Sequence, residues 1–532
     1  MAARFWVTGG TGNWNSTTNW SATTGGASGA SVPSTADTAA FDASSGSGTV
    51  TLDISPDIQT LTMTGFTGTL AFGTNTISLN STGTIFTGAT TMTVTGTPQI
   101  ICTDATATTR TITTTAVTEA NSISFRITGG TGSLVFTGGN VYRDLDFTDG
   151  TNPTGFAGTL NNSANTIYGN LKVSTGMAKN GGNGIYTFAA TSGTKTITMG
   201  AVVFDNPFTF NGVGGTFQLQ DALTSGSSRS TTLTTGTLDL NNFTMTVGTF
   251  SSNASTTRTL AFGTGKIVIT GNNGTVCTTS TGTGLTITGS KRVELAYSGS
   301  AGTRIITGVQ TASTIEGTNL LDYFVIAGSD TVTFTNSRSY GTIDFANAGT
   351  STFTGITTNN TSNIYGNLIF KAGMTTTSGA NIVSMLATSG TKTITSASQT
   401  LDFPLTINGL GGTFACSDAL TLGSTQPLTM TNGTLQLKSG TTNTVGSFAT
   451  SGTNQKFLQA TTPASQATLS QASGTVSVSY LTIQDSAATG GATFEAYTGN
   501  FNVDAGNNSG WNFSQFGNKY IYTRRKLKRI IY

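Results

Sequence analysis

The stretch from Ile167 to Leu223 occurs twice, and this constrains the fold more than any other feature of the chain. IYGNL begins at Ile167 and again at Ile364. ATSGTKTIT begins at Ala190 and again at Ala387, and DNPFTFNGVGGTFQLQDAL at Asp205 is matched by DFPLTINGLGGTFACSDAL at Asp402. Each pair is 197 residues apart (364 − 167 for the first), so no insertion separates the copies over this stretch. A unit that accepts point changes but no slips behaves as a stacked repeat, in which each unit buries a face it cannot bury alone.

The surrounding text says what kind of unit is stacked. In TLTMTGFTGTLAF, Leu61 and Met63 share one face and Thr62 and Thr64 the other; Leu70 and Phe72 resume the pattern after a Gly turn. Phe208, Phe210, Phe217 and Leu219 repeat it, as do Leu405, Ile407, Phe414 and Cys416 in the second copy. Short alternating strands with frequent Gly, Asn and Ser turns, and no amphipathic helical period, predict an all-β chain. A period near 197 is too long for one coil, so each repeat must hold several rungs of roughly 20 to 25 residues. The expected fold is an elongated parallel β-helix, or β-solenoid, with long internal repeats. Tandem β-sandwich domains are the alternative, disfavoured because no Pro-rich or charged linker divides the repeats.

Composition narrows the surface chemistry. Charged residues make up 9% of the 532 residues and Thr about a fifth, so the polar surface must be mostly hydroxyl and amide. Thr is β-branched and tolerates water, which suits the outward face of a half-buried strand. His is absent, so neither a Ser-His-Asp triad nor a His metal site can form within the chain. No metal site and no cofactor are expected: the Gly-rich strings VTGGTG and NGVGGT lack the GK[ST] of a phosphate loop. The formal net charge of +2 gives no broad attraction for nucleic acid. Cys102, Cys277 and Cys416 are odd in number and far apart, so no disulfide framework is implied. Cys416 stands where the first copy has Leu219, as a buried, inert thiol would. No stretch reaches the apolar length of a membrane span, and no classical signal peptide is recognised.

Six segments are expected: an aromatic N-terminal cap or entry module over 1–50, solenoid repeats over 51–232 and 233–427, a partial third repeat over 428–462, a closing β-module over 463–513, and a basic tail over 514–532. Trp6, Trp14 and Trp20 in the first segment are expected to cover an exposed end of the core, with stacking against a sugar or a partner as their candidate binding role. The tail carries Arg524, Arg525, Lys526, Lys528 and Arg529, and the spacing of Leu527, Ile530 and Ile531 gives it an apolar edge for docking on a partner. It is also the one place where nucleic acid or an anionic membrane would be met.

Two stretches resemble a known group. The pattern of Trp6, Gly9, Gly10, Gly12, Trp14, Asn19, Trp20 and Ser21, then Pro33, Asp37 and Phe41, resembles the first segment of Gly/Thr-rich β-solenoid surface proteins of bacteria and phages. GGATF from Gly490 and GNNSGWNF from Gly506 resemble the C-terminal end of similar proteins, including phage structural proteins and tail fibres. The resemblance brings no catalytic residues with it. The exported bacterial relatives carry a signal peptide and a barrel or sorting segment that are not recognised here, which points to the phage side. It implies a virion-surface protein, a fibre, spike or decoration, with other virion proteins and host-surface glycan as partners. Homo-oligomerisation, as a trimer, follows from phage fibres generally.

One pair of acids keeps an enzyme in view. Asp144 and Asp146 are two apart, which in a strand sets them on one face roughly 6.5 to 7 Å apart at the backbone, near the carboxyl separation of an inverting glycosidase. Against this, Asp144 becomes Thr342 in the second copy, while Asp146 is retained as Asp344. The expectation is therefore a non-enzymatic structural or adhesive protein, with a tailspike polysaccharide depolymerase and an exported bacterial surface adhesin as alternatives. Asp205, Asp402, Asp221 and Asp418 lie beside Pro or at strand ends, where Asp bonds nearby backbone amides and forms turns.

Overall fold

A computed structural model describes residues 2–7, 9–150, 153–178, 182–335, 337–346, 354–355, 362–376 and 382–514. The chain is an all-β solenoid of about 19 turns, 46% strand and 3% helix. Strands pair in parallel with those one turn before and after, which is incompatible with the antiparallel sheets of a sandwich. In each strand one parity is buried and the other faces out. Thr49–Thr51, Thr69–Ala71 and Thr93–Thr95 place Val50, Leu70 and Val94 in register as one inward column, with Thr49, Thr69 and Thr93 on one side and Thr51, Ala71 and Thr95 on the other. At about 4.8 Å between neighbouring strands, the mostly β-branched side chains of each column stack directly on one another.

The chain divides into two compact units, Met1–Thr333 and Phe334–Tyr532. The division falls inside the expected second repeat, not at its boundary. In the first unit, Ala2–Trp6 pairs in parallel with Asp37–Ala40 on one side and antiparallel with Trp20–Ser21 on the other. The antiparallel strand covers the edge of the first sheet. Beneath it Trp6, Trp14 and Trp20 surround Phe41, with ring centroids 5.7 to 5.8 Å from it, and Phe41 packs on Phe66 at 5.3 Å. The Trp20 indole donates to the Trp14 carbonyl at 2.8 Å. All three tryptophans are at most 1% exposed. This corrects their candidate binding role: a ring stacks on a sugar only if one face is open, and here the faces are spent on each other and on Phe41.

The duplicated stretch is explained by contacts between consecutive turns. Phe208–Leu219 and its counterpart Leu405–Cys416 are 12-residue strands that bend in the middle, at the Asn-Gly-x-Gly-Gly sequence. At the bend a Cβ on Gly212 would run into the carbonyl oxygen of Ala190, and one on Gly409 into that of Ala387. Ala190 and Ala387 open the ATSGTKTIT segments. The two most similar parts of the repeat are thus the two sides of one close approach, which explains why neither drifts alone.

In the second unit the segment expected as a closing module is built as further turns of the same coil. Thr475–Ser477, Thr493–Glu495 and Trp511–Asn512 stack in parallel, with Trp511 packed edge-on against Phe494 at 5.0 Å. The basic tail residues Arg524, Arg525, Lys526, Lys528 and Arg529 lie outside the described residues. Among the described residues no helix is long and apolar enough to cross a membrane. The thiols of Cys102, Cys277 and Cys416 are buried and each is pushed up to about 12 by desolvation, which keeps them protonated and unreactive.

An outward charge cluster in the first unit gives a pH dependence. Glu294 accepts from Lys266 Nζ at 2.9 Å and Arg292 Nε at 2.7 Å. Burial would raise its carboxyl, but the two hydrogen bonds and charges outweigh burial and hold it below the ordinary value of 4.5. A carboxyl lowered in the folded state stabilises above its ordinary value, and that contribution is lost as pH falls through the lower folded value. The stability gap between wild type and Glu294→Gln is therefore expected to be full at neutral pH and to shrink below about 4.5. Urea midpoints of both proteins across this range provide the measurement, and a gap that stays constant into acid would contradict the assignment.

Candidate functional site

The polar groups richest in chemistry lie on one outer face of the first unit. Gln99–Cys102, Ser124–Ile127, Leu145–Asp146, Leu171–Lys172 and Thr194–Thr198 stack in parallel there. Register places Ile100, Phe125, Leu145, Leu171 and Ile197 in one inward column. The outward neighbours fall in two columns. One runs through Arg126, Asp146, Lys172 and Thr198, alternating cation, anion, cation. The other holds Gln99, Ser124, Asp144, Asn170 and Thr196. The sequence hides this set because its members are separated by about one turn, from 20 residues between Ser124 and Asp144 to 26 between Asp144 and Asn170. Only Asp144 and Asp146 are neighbours along the chain. Gln99, Ser124, Arg126, Asn170 and Lys172 were legible only once the turns were aligned.

These residues line two adjoining depressions of about 260 and 300 Å³ that share Gln99, Ser124 and Asp144. The expected placement of Asp144 and Asp146 on one face is thus realised in a groove. Asp144 accepts from Ser124 Oγ at 2.6 Å, from the Asn170 backbone N–H at 2.6 Å and from Asn170 Nδ2 at 2.9 Å. Asp146 accepts from Arg126 Nε at 3.1 Å, and from the Thr148 N–H and hydroxyl at 2.9 and 2.7 Å. All six hydrogen bonds run into the carboxylates.

The second copy provides an internal comparison. Asn170 Oδ1 accepts from the Thr196 N–H at 2.7 Å, and Asn367 Oδ1 accepts from the Thr393 N–H at 2.8 Å. Asp144 takes the Asn170 N–H, and Thr342 Oγ1 takes the Asn367 N–H at 3.2 Å. The rung-to-rung bonding is therefore common to both copies. The charges are not: Arg126, Asp144 and Lys172 stand opposite Phe324, Thr342 and Ile369, and only Asp146 keeps its counterpart, Asp344.

The other retained acids divide. Asp221 accepts from the N–H groups of Met199 and Gly200, and Asp418 from those of Ser396 and Ala397, as turn-forming acids do. Asp205 is instead ion-paired with Arg229 at 3.1 Å, and Asp402 accepts from Gln426 at 3.1 Å. Among the described residues no three His, Cys, Asp or Glu side chains are grouped to hold a metal ion. No family model matches the sequence, and comparison with curated proteins and with solved structures gives no significant match.

Proposed function

We propose that the chain is a non-enzymatic adhesive β-solenoid, a structural component of a phage particle, and that the groove of the first unit holds a polyhydroxylated glycan of the host surface. The observation that carries this reading is the restriction of three of the groove's charges, Arg126, Asp144 and Lys172, to one copy. The second copy keeps the parallel pairing and the rung-to-rung bond with Phe324, Thr342 and Ile369 in the corresponding places, so these do not require Arg126, Asp144 or Lys172. Hydroxyl, amide and charged groups presented in rows, with few apolar walls, match a ligand that is itself a row of hydroxyls. The phage setting is supported by the resemblance of both ends to phage structural proteins, and association of several chains would add avidity to weak individual sites.

The non-catalytic reading rests on the hydrogen bonds. Acid-base cleavage of a glycosidic bond needs one carboxyl to donate a proton and another to activate water or attack. Asp144 and Asp146 each already accept three hydrogen bonds from the protein, which favours fixed acceptors. Incubating the chain with immobilised host envelope polysaccharides is expected to give retention without release of reducing ends. Release that Asp146→Asn abolishes would make the protein a depolymerase, and retention on no glycan would remove the adhesive reading. Immunogold labelling is expected to decorate virus particles. Gold on cell envelopes alone would make the chain an exported bacterial adhesin.

A further inference from the structure

The hydrogen-bond inventory of the groove is lopsided. Its acceptors are largely committed, since the two carboxylates take six bonds from the protein, whereas its cationic donors are largely free. The Lys172 ammonium has no hydrogen-bond or ion-pair partner among the described residues, although the register partner of Lys172 is Asp146. Among the described residues the Arg126 guanidinium donates only through Nε, to Asp146. Among the described residues the guanidinium of Arg143, on the wall of the adjoining depression, donates only through Nη2, to the Ala120 carbonyl at 3.2 Å. An ammonium offers three donors and a guanidinium five, so three cations with one side-chain bond or none each among the described residues leave many N–H groups uncommitted. A neutral glycan supplies hydroxyls, which both give and take. A ligand bearing carboxylates supplies the acceptors that this surface lacks, and the bonds it makes are charge-assisted.

We propose that the groove selects a linear acidic polysaccharide, whose carboxylates are met by Lys172, Arg126 and Arg143 while its hydroxyls bond Gln99, Ser124 and Asn170. This rests on the glycan-adhesion reading and narrows it to a substrate class. Arg126 and Lys172 lie two strands apart in one column, about 9.6 Å at about 4.8 Å per strand, so every second sugar unit along one chain would meet a donor there, with Arg143 beside the column. Nucleic acid is the competing polyanion, but among the described residues the groove offers no exposed aromatic ring on which a base could stack.

The test uses the full chain and affinity electrophoresis in gels containing polygalacturonate, alginate or hyaluronan, each beside its carboxyl-reduced neutral form. At least one acidic polymer is expected to retard the protein, with binding roughly ten-fold weaker to its reduced form, as loss of a charge-assisted hydrogen bond implies. Lys172→Ile, which installs the residue the second copy carries at this place, is expected to lose about the same factor, and Lys172→Arg to keep most of the binding. Equal retardation by acidic and reduced forms would overturn the acidic selection and leave glycan adhesion standing. No retardation by any polymer would overturn both. Competition by single-stranded DNA at equal charge concentration would assign the binding to a general polyanion surface.

Discussion

Asp330→Ala is expected to destabilise the first unit by about 3 to 5 kcal/mol, the cost of leaving one member of a buried ion pair without the other. Arg304 Nε and Nη2 each meet an Asp330 oxygen at 2.7 Å, and both side chains are 0% exposed. With the carboxylate removed, the guanidinium keeps only the Ala327 carbonyl at 3.1 Å and the Tyr297 ring. Arg304→Met combined with Asp330→Ala is expected to recover much of the loss, because the double variant has no buried charge left to solvate. Urea unfolding followed by the fluorescence of the tryptophans near the N-terminus measures both effects. An unchanged midpoint for Asp330→Ala, or a double variant worse than either single one, would contradict the assignment.

Trp20→Ala is expected to cost about 3 to 5 kcal/mol, the range for truncating a large buried aromatic residue. Its ring touches Trp6, Trp14 and Phe41, so one substitution opens a void against three others and removes the indole donor to the Trp14 carbonyl. Loss of the antiparallel partner of Ala2–Trp6 also bares the edge of the first sheet. Partial proteolysis beginning within the first 66 residues is the expected signature, and Trp20→Phe should restore most of the protection. If Trp20→Ala were as resistant as wild type, the cluster would be incidental to the cap.

The fold was largely legible because two periodicities are written plainly in the sequence: alternation within strands, and the 197-residue repeat. The buried cations were not. Arg110 and Arg258 open strands, Arg304 is the second residue of one, and all three are at most 1% exposed, yet in the sequence they look like ordinary surface charges. Arg258 shows why. Desolvation lowers its guanidinium to about 10, and its partners are Ser252 and the carbonyls of Ser252, Thr256, Thr281 and Thr283. Carbonyls carry no side-chain signature, so a cage made of them is invisible until the turns are stacked. The groove was half legible for a related reason. Asp144 and Asp146 stood out as neighbours, whereas Lys172 and Arg126 join them only through strand register.

The sealed first edge gives the molecule a direction. Everything needed to finish that end, from Trp6 to Phe66, precedes the later turns of the first unit in chain order and is synthesised before them. Each later turn of the first unit then meets a completed surface and needs only its own short stretch of sequence to lie down upon it. Synthesis and assembly of these turns can therefore run in step, each new strand pairing with one already in place.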